Sequence, residues 1–448
     1  MNFVYSGGFS ASAEKDQKDQ TRCLMGLMTE DLSYPLSADE SLYGPEVILT
    51  YSDRGFQQLS HNLHRIIRDH IIRGPYKDAK RAVLINSWEA CYFDFTGETV
   101  IRLAEEAAAL DIEMLVLDDG WFGKRNDDYA GLGDWYVNEE KLGMTLSELV
   151  GRVKETGLKF GIWIEPEMVS EDSDLYRAHP DWAMTIPGRD PVRSRYQLVL
   201  DFSRGEVVDA IFAQLCAILD QADISYVKWD YNRCLCDVYS RKSGISGNVQ
   251  YDYILGVYDL LERLLKRYPD LLIEGCAGGG GRFDAGMMYY TPQIWCSDNT
   301  DAIDRVKIQY GSSFGYPVSV VGSHVSAVPN HQTRRSTPFE TRAAVAMAGT
   351  FGYELCPSFL SEKIAELIRS QVREYHEREE LIRKGLYYRL SDPFKDPVAA
   401  WCFVSEDRKE AFLCIVMLEC HANPPQQYVR LRGLLPEGEY RNARDGLV

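Results

Sequence analysis

The nine residues SYVKWDYNR, 225–233, decide how this chain is read. SYVKW is a short run of strand type, and polar groups crowd in directly behind it: Asp230, Asn232 and Arg233, with Lys228 two places before Asp230. A helix-type segment, 205–221, leads into this run, and another, 251–267, follows it. A strand entered from one helix, left toward another and tipped with reactive side chains is the repeating unit of a parallel sheet with crossover helices.

The same unit recurs on both sides. AVLINS (82–87), EMLVLD (113–118) and KFGIWI (159–164) precede it; LLIEG (271–275), QIWCSD (293–298), PVSVVG (317–322) and GTFGYE (349–354) follow. Helical spacing at 98–110, 145–156 and 338–348 fills gaps between them. Eight strands over this span suit a (β/α)8 barrel, for which about 250 residues is typical. A ninth run, YQLVLDF (196–202), leaves the count ambiguous; it falls in an excursion between the third and fourth strands, because helix 205–221 leads directly into SYVKWD.

The flanks differ. Residues 1–60 hold a few strand-like runs such as PEVILTYS (45–52), and 56–73 repeat apolar residues at helical spacing up to a GPY stop. After 385 the pattern alternates with period two in AAWCFVS (399–405), EAFLCIVML (410–418) and QYVRLRGL (427–434). The expected fold class is therefore α/β, a (β/α)8 TIM barrel with a partial N-terminal β region and a small C-terminal antiparallel β domain. The expected segments are 1–60, a linking helix at 61–80, the barrel at 81–384 and the β domain at 385–448.

Composition narrows the function. The 448 residues carry 49 basic and 67 acidic side chains, a net charge of -18, which repels a phosphate backbone and speaks against nucleic acid. Eleven cysteines is an odd number, no C-x-x-C occurs, and several cysteines sit inside apolar runs, so reduced and buried thiols are expected. Without a signal-like start or an apolar run near the ~18 residues of a membrane span, the expectation is a cytoplasmic protein with no membrane partner.

Barrel enzymes keep their sites at the C-terminal ends of the strands. Here those ends carry Trp88 and Glu89, then Asp118, Asp119 and Trp121, then Trp163, Glu165 and Glu167. The series continues with Lys228, Asp230 and Asn232, then Cys276 and the glycines 278–281, then Asp298 and Asn299. Singly, such an Asp is more often a helix cap and such a Trp more often core. Together they make a cup of carboxylates and indoles, suited to a sugar whose hydroxyls need partners and whose C–H face needs an aromatic ring. Glycoside hydrolysis needs two carboxyl groups. Lys228 favours an ionised Asp230 as nucleophile, and the apolar run before Asp298 favours a protonated acid there.

Rival readings are weaker. The glycines 278–281 lack the Lys-Ser/Thr of a phosphate loop. Asp118 and Asp119 with Glu167 have no histidine partner for a metal, and Cys234 and Cys236 stand at no zinc spacing. No metal and no cofactor are expected. His324 and His331 fall in the loop after strand seven and are taken as structural.

Six motifs carry a resemblance. NSWEACYFDF (86–95), LDDGWFG (117–123), GIWIEPEMV (161–169), VKWDYNR (227–233), CAGGGGRFD (276–284) and WCSDNTDAIDR (295–305) resemble the microbial α-galactosidases of glycoside hydrolase family 36. The resemblance implies a barrel with the nucleophile, Asp230, on strand four and the acid/base, Asp298, after strand six. It also implies cofactor-free hydrolysis of terminal α-1,6-linked galactose in melibiose and raffinose-type sugars, with retention of configuration. By motif, Asp118 and Asp119 match the carboxylates that grip O4 and O6, and Trp88 and Trp163 match pocket aromatics. Arg195, Lys228 and Asn232 match hydroxyl-binding residues, and Cys276 and Gly278 match the wall at the 2-position. The implied partners are small galactosides and, as in tetrameric family members, further copies of the chain. Residues 1–60 would correspond to the last strands of a β-supersandwich domain. A raffinose-synthase-like galactosyltransferase and a non-catalytic galactoside-binding remnant are the alternative functions.

Overall fold

The expected apolar runs do become the barrel, because each can bury one face against its neighbours and the other against a helix. The computed structural model describes residues 1–30, 32–244, 246–423 and 425–443. Its central sheet has β1 (Leu84–Asn86), β2 (Met114–Leu117), β3 (Lys159–Ile164) and β4 (Tyr226–Trp229). It continues with β5 (Leu272–Gly275), β6 (Gln293–Trp295), β7 (Val321–Ser326) and β8 (Thr350–Glu354). All neighbours are parallel, and β8 pairs with β1 to close the barrel. Leu84, Met114, Val116, Tyr226 and Leu272 fill its interior. The buried Tyr226 ring fits because β3 offers Gly161, where a Cβ would stand 2.8 Å from that ring.

Outside lie α1 (Gly97–Ala108), α2 (Leu146–Glu155), α3 (Gly205–Leu219), α4 (Val249–Arg267), α5 (Ala302–Ser312), α6 (Phe339–Ala346) and α7 (Glu362–Lys384). Their starts are written locally. Thr145 caps α2 by accepting from the Glu148 N–H, and Ser361 caps α7 by accepting from Ile364. Apolar positions Val100, Leu103, Ala104 and Ala107 turn α1 onto the sheet. The ninth apolar run stays out of the barrel: Leu198–Val199 pairs antiparallel with Met168–Val169 in the β3–β4 excursion.

Three expectations need correction. PVSVVG is strand seven only at its end: Val318–Val320 form a 3-10 turn, and the strand begins at Val321 and runs on to Ser326. Hence His324 lies on β7 and not in the loop after it. QYVRLRGL forms no strand, since its residues are largely exposed and bury no apolar face. The third strand of the C-terminal sheet is β9 (Leu386–Arg389), beside β10 (Val398–Val404) and β11 (Ala411–Met417). The linking helix also begins earlier, as Gly55–Ile66 followed by a π-turn at Ile67–Ile71.

At the N-terminal end Asn2–Phe3 pairs with Val47–Ile48, and Phe9–Lys15 forms an exposed hairpin with Thr21–Leu27. Ser6 anchors this region to the barrel, donating from Oγ to Asp284 at 2.7 Å. The thiols are less uniform than expected: Cys216, Cys276 and Cys296 are buried, whereas Cys23, Cys234 and Cys420 are exposed. Among the described residues no helix is long and apolar enough to cross a membrane.

Candidate active site

The strand ends of the barrel surround an open, polar pocket. It is lined by Trp88, Asp118, Asp119, Trp163, Arg195, Lys228, Asp230, Asn232 and Asp298, nine of the eleven residues to which the motifs assign a role. Cys276 and Gly278 are not in that lining. They stand behind Asp230 instead, where Cys276 donates to its carboxylate and the Gly278 N–H reaches Oδ1 at 3.3 Å.

Asp230 is held from both sides. Its Oδ1 accepts from the Tyr231 N–H at 2.8 Å, and Oδ2 accepts from Asn232 Nδ2 at 2.8 Å and Trp163 Nε1 at 3.1 Å. Burial pushes this carboxyl up, but the Lys228 ammonium and the hydrogen bonds from Cys276, Asn232 and Tyr231 outweigh it and hold it below its ordinary range. Lys228 is buried, which alone would favour its neutral form, but Asp118, whose Oδ2 lies 2.7 Å from Nζ, together with Cys276, Glu354 and Asp230 outweighs that desolvation and keeps it a cation. Asn86 donates to the same oxygen at 2.7 Å. Asp119 is clasped by Arg125, with Nη2 at 2.8 Å from Oδ2. These polar groups converge because each leaves a strand at one rim, where backbone pairing stops and side chains turn inward.

Asp298 has the opposite character. The residue is exposed at the pocket opening, yet the protein atoms around its carboxyl still strip away part of its hydration. Burial, then the charge of Asp230, raises its carboxyl to about 6. The glycines 278–281 serve backbone packing here: Gly279 has φ +88°, and a Cβ on it would come 2.7 Å from the Asp298 amide. Arg195 reaches the pocket from an exposed two-residue turn, both of whose central residues, Arg195 and Tyr196, have positive φ, and it donates to Asn232 Oδ1 at 2.5 Å.

Six further residues line the pocket: Glu89, Trp295, Thr300, His331, Gln332 and Glu354. Their positions past strand ends were visible, as with Glu89 and Glu354, but their roles depend on cross-strand contacts. Glu89 accepts from Thr300 at 2.8 Å and the Ala327 N–H at 3.1 Å, and burial followed by the charge of Glu354 pushes it up to about 8. His331 does reach the pocket, beside Glu89. Glu165, just behind, accepts from the Asn232 N–H at 2.6 Å and from Gln197 at 2.9 Å; burial and Asp230 raise it to about 8. Glu167 is consumed by Arg282, Trp229 and Tyr253. Among the described residues no group of His, Cys, Asp and Glu is arranged to hold a metal.

A pocket with two carboxyl groups in contrasting proton states, ringed by indoles and hydrogen-bonding side chains, can break an acetal between sugars. Comparison with known proteins gives the chain its family. Residues 41–385 match the melibiase family model, and residues 398–448 match the glycosyl hydrolase family 36 C-terminal domain. The bifunctional alpha-galactosidase/sucrose kinase AgaSK of Mediterraneibacter gnavus is 61% identical over 446 residues, 100% of this chain and 47% of that protein. The solved galactosidase domain of AgaSK superposes with a TM-score of 0.97 over 99% of this chain and 61% of that one. A variant of the alpha-galactosidase AgaA from Geobacillus stearothermophilus, solved with raffinose, is 46% identical with a TM-score of 0.94, covering 97% of this chain and 61% of that one. The chain thus spans about half to three fifths of the length of these relatives. By sequence match along most of its length and by fold, it belongs to the melibiase family, within glycoside hydrolase family 36.

Proposed function

We propose that this chain carries the catalytic machinery of a retaining exo-α-galactosidase that removes terminal α-1,6-linked galactose from melibiose and raffinose-type sugars. One observation carries the reading: Asp230 and Asp298 face the same pocket, the first held ionised and the second holding its proton to about pH 6. That is the division of labour a double displacement requires.

In the first step a carboxylate oxygen of Asp230 forms a bond to the anomeric carbon. The bond from that carbon to the glycosidic oxygen breaks, its electron pair stays on the oxygen, and the Asp298 proton is transferred to it. In the second step Asp298, now a carboxylate, takes a proton from water as the water attacks and frees Asp230. Asp118 and Asp119 bind O4 and O6 of galactose, so that the axial O4 distinguishes it from glucose. Lys228, Asn232 and Arg195 bond the other hydroxyls, and Trp88 and Trp163 cover the C–H faces. Cys276 and Gly278, behind Asp230, back the wall at the 2-position, a placement that favours a hydroxyl over an acetamido group there. The substrate class is supported by the raffinose bound to the AgaA variant.

Proton NMR during the first minutes of melibiose hydrolysis tests the stereochemistry. α-Galactose forms first if configuration is retained; β-galactose forming first overturns the proposal.

A further inference from the structure

Trp295 is the last residue of β6, and its buried ring is held on several sides. The His324 ring centroid lies 4.4 Å from it, and the Arg305 guanidinium lies 4.7 Å from its centroid. Both neighbours are themselves fixed. His324 Nδ1 is 3.1 Å from Glu354 Oε2, and Arg305 donates to the carbonyls of Ser297 and Gly322. Space for the two rings comes from glycines on β7 and β8. A Cβ at Gly322 would stand 3.2 Å from Trp295 Cε3, and one at Gly352 would stand 2.7 Å from His324 Cδ2.

A buried indole needs an acceptor, and any carbonyl would serve the fold. Here the Nε1–H is spent on Asp298 Oδ1, at 3.1 Å. Among the described residues no donor reaches Oδ2 of the same carboxyl. An indole nitrogen only donates, and the carbonyl oxygen of a neutral acid is its better acceptor, so this contact sorts the two oxygens of Asp298.

We infer that Trp295 is a positioning residue for the leaving-group acid: its N–H anchors Oδ1 as the carbonyl oxygen and keeps the proton of Asp298 on Oδ2, available to the glycosidic oxygen. After that proton has moved, the same contact holds the carboxylate so that Oδ2 can take the proton of the incoming water. The inference rests on the reading of Asp298 as acid/base, and it assigns Trp295, at the end of β6, to orienting that acid and not to gripping sugar.

The test compares two substrates that share galactose and differ in their need for acid, melibiose and α-galactosyl fluoride. kcat/KM is used because it reports bond breaking up to the galactosyl-enzyme. Trp295→Phe keeps a ring and deletes the N–H. The expected result is a loss on melibiose at least about tenfold larger than on the fluoride, the scale of impaired general-acid catalysis. Equal losses on both substrates overturn the inference, since a residue serving only the fold or sugar binding does not distinguish leaving groups. Asp298→Ala, run in parallel, separates the two claims. If it cleaves melibiose normally, the acid/base reading fails; if it shows the leaving-group split and Trp295→Phe does not, only the Trp295 assignment fails. Should Trp295→Phe not melt cooperatively, benzothienylalanine at position 295, isosteric with Trp but lacking the N–H, is measured in its place against the same two outcomes.

Discussion

Replacing Lys228 by Met examines stability and catalysis with one change. The Lys228 ammonium is buried 2.7 Å from Asp118 Oδ2, and its charge also lowers both Asp230 and Asp298. Methionine preserves most of the volume and removes the charge, leaving a buried Asp118 carboxylate with Asn86 as its side-chain donor. Breaking one side of a buried pair costs about 3–5 kcal/mol, against a total of roughly 5–15 kcal/mol for a folded protein. Urea unfolding followed by tryptophan fluorescence reads that loss directly. Neutralising both partners in Asp118→Asn/Lys228→Met should recover most of the stability, because no buried charge is then left unpaired. The catalytic effect has a definite sign. Without the ammonium both carboxyl groups release their protons at higher pH, so both limbs of the kcat/KM profile move upward together. Wild-type stability in the single variant, or limbs that stay in place or move apart, refutes the electrostatic account of the pocket.

For the unaltered chain, kcat/KM on melibiose should be bell-shaped. It falls as pH rises through about 6, when free Asp298 loses its proton, and falls on the acid side only below the ordinary carboxylate range, where Asp230 becomes protonated. Gly279→Ala should cut kcat on the order of a hundredfold, because the added Cβ meets the backbone of Ser297 and Asp298 at 2.7 Å and shifts the acid; a variant with wild-type kcat contradicts this. Arg195→Gly should separate binding from folding. With φ +54° at Arg195, glycine relieves strain and leaves the melting temperature unchanged or higher, while KM rises because Asn232 loses the guanidinium that orients its amide.

Strand four and its neighbours were legible because apolar runs of strand length and helix-length amphipathic segments alternate there. Period and length alone distinguish the two element types. The same criterion misplaced strand seven. Its real residues, Val321–Ser326, interrupt the valines with Gly322, Ser323, His324 and Ser326, while the apolar Val318–Val320 before them form a 3-10 turn. An apolar-run rule therefore fails at a strand that buries polar side chains, here His324 against Glu354 and Ser326 against the Thr300 carbonyl. QYVRLRGL misled for the complementary reason: alternation without a surface to bury does not make a strand, and the short LYYR run, which has one, gave too little signal. Asp230 and Asp298 were readable as strand-end carboxyls. Glu165, Glu354 and Trp295 were readable as residues but not as partners, because only the folded chain sets Asn232 against Glu165, His324 against Glu354, and His324 and Arg305 against the Trp295 ring.

The division of roles between the two aspartates is the central claim, and azide rescue tests it most directly. With an aryl α-galactoside as substrate, Asp230→Ala should recover turnover in azide and yield β-galactosyl azide, the anion having entered from the side that the nucleophile occupied. Asp298→Ala should yield α-galactosyl azide, formed when azide in place of water opens the covalent intermediate. NMR of the two products distinguishes the anomers. The opposite pairing, or the same anomer from both variants, contradicts the assignment of Asp230 as nucleophile and Asp298 as acid/base.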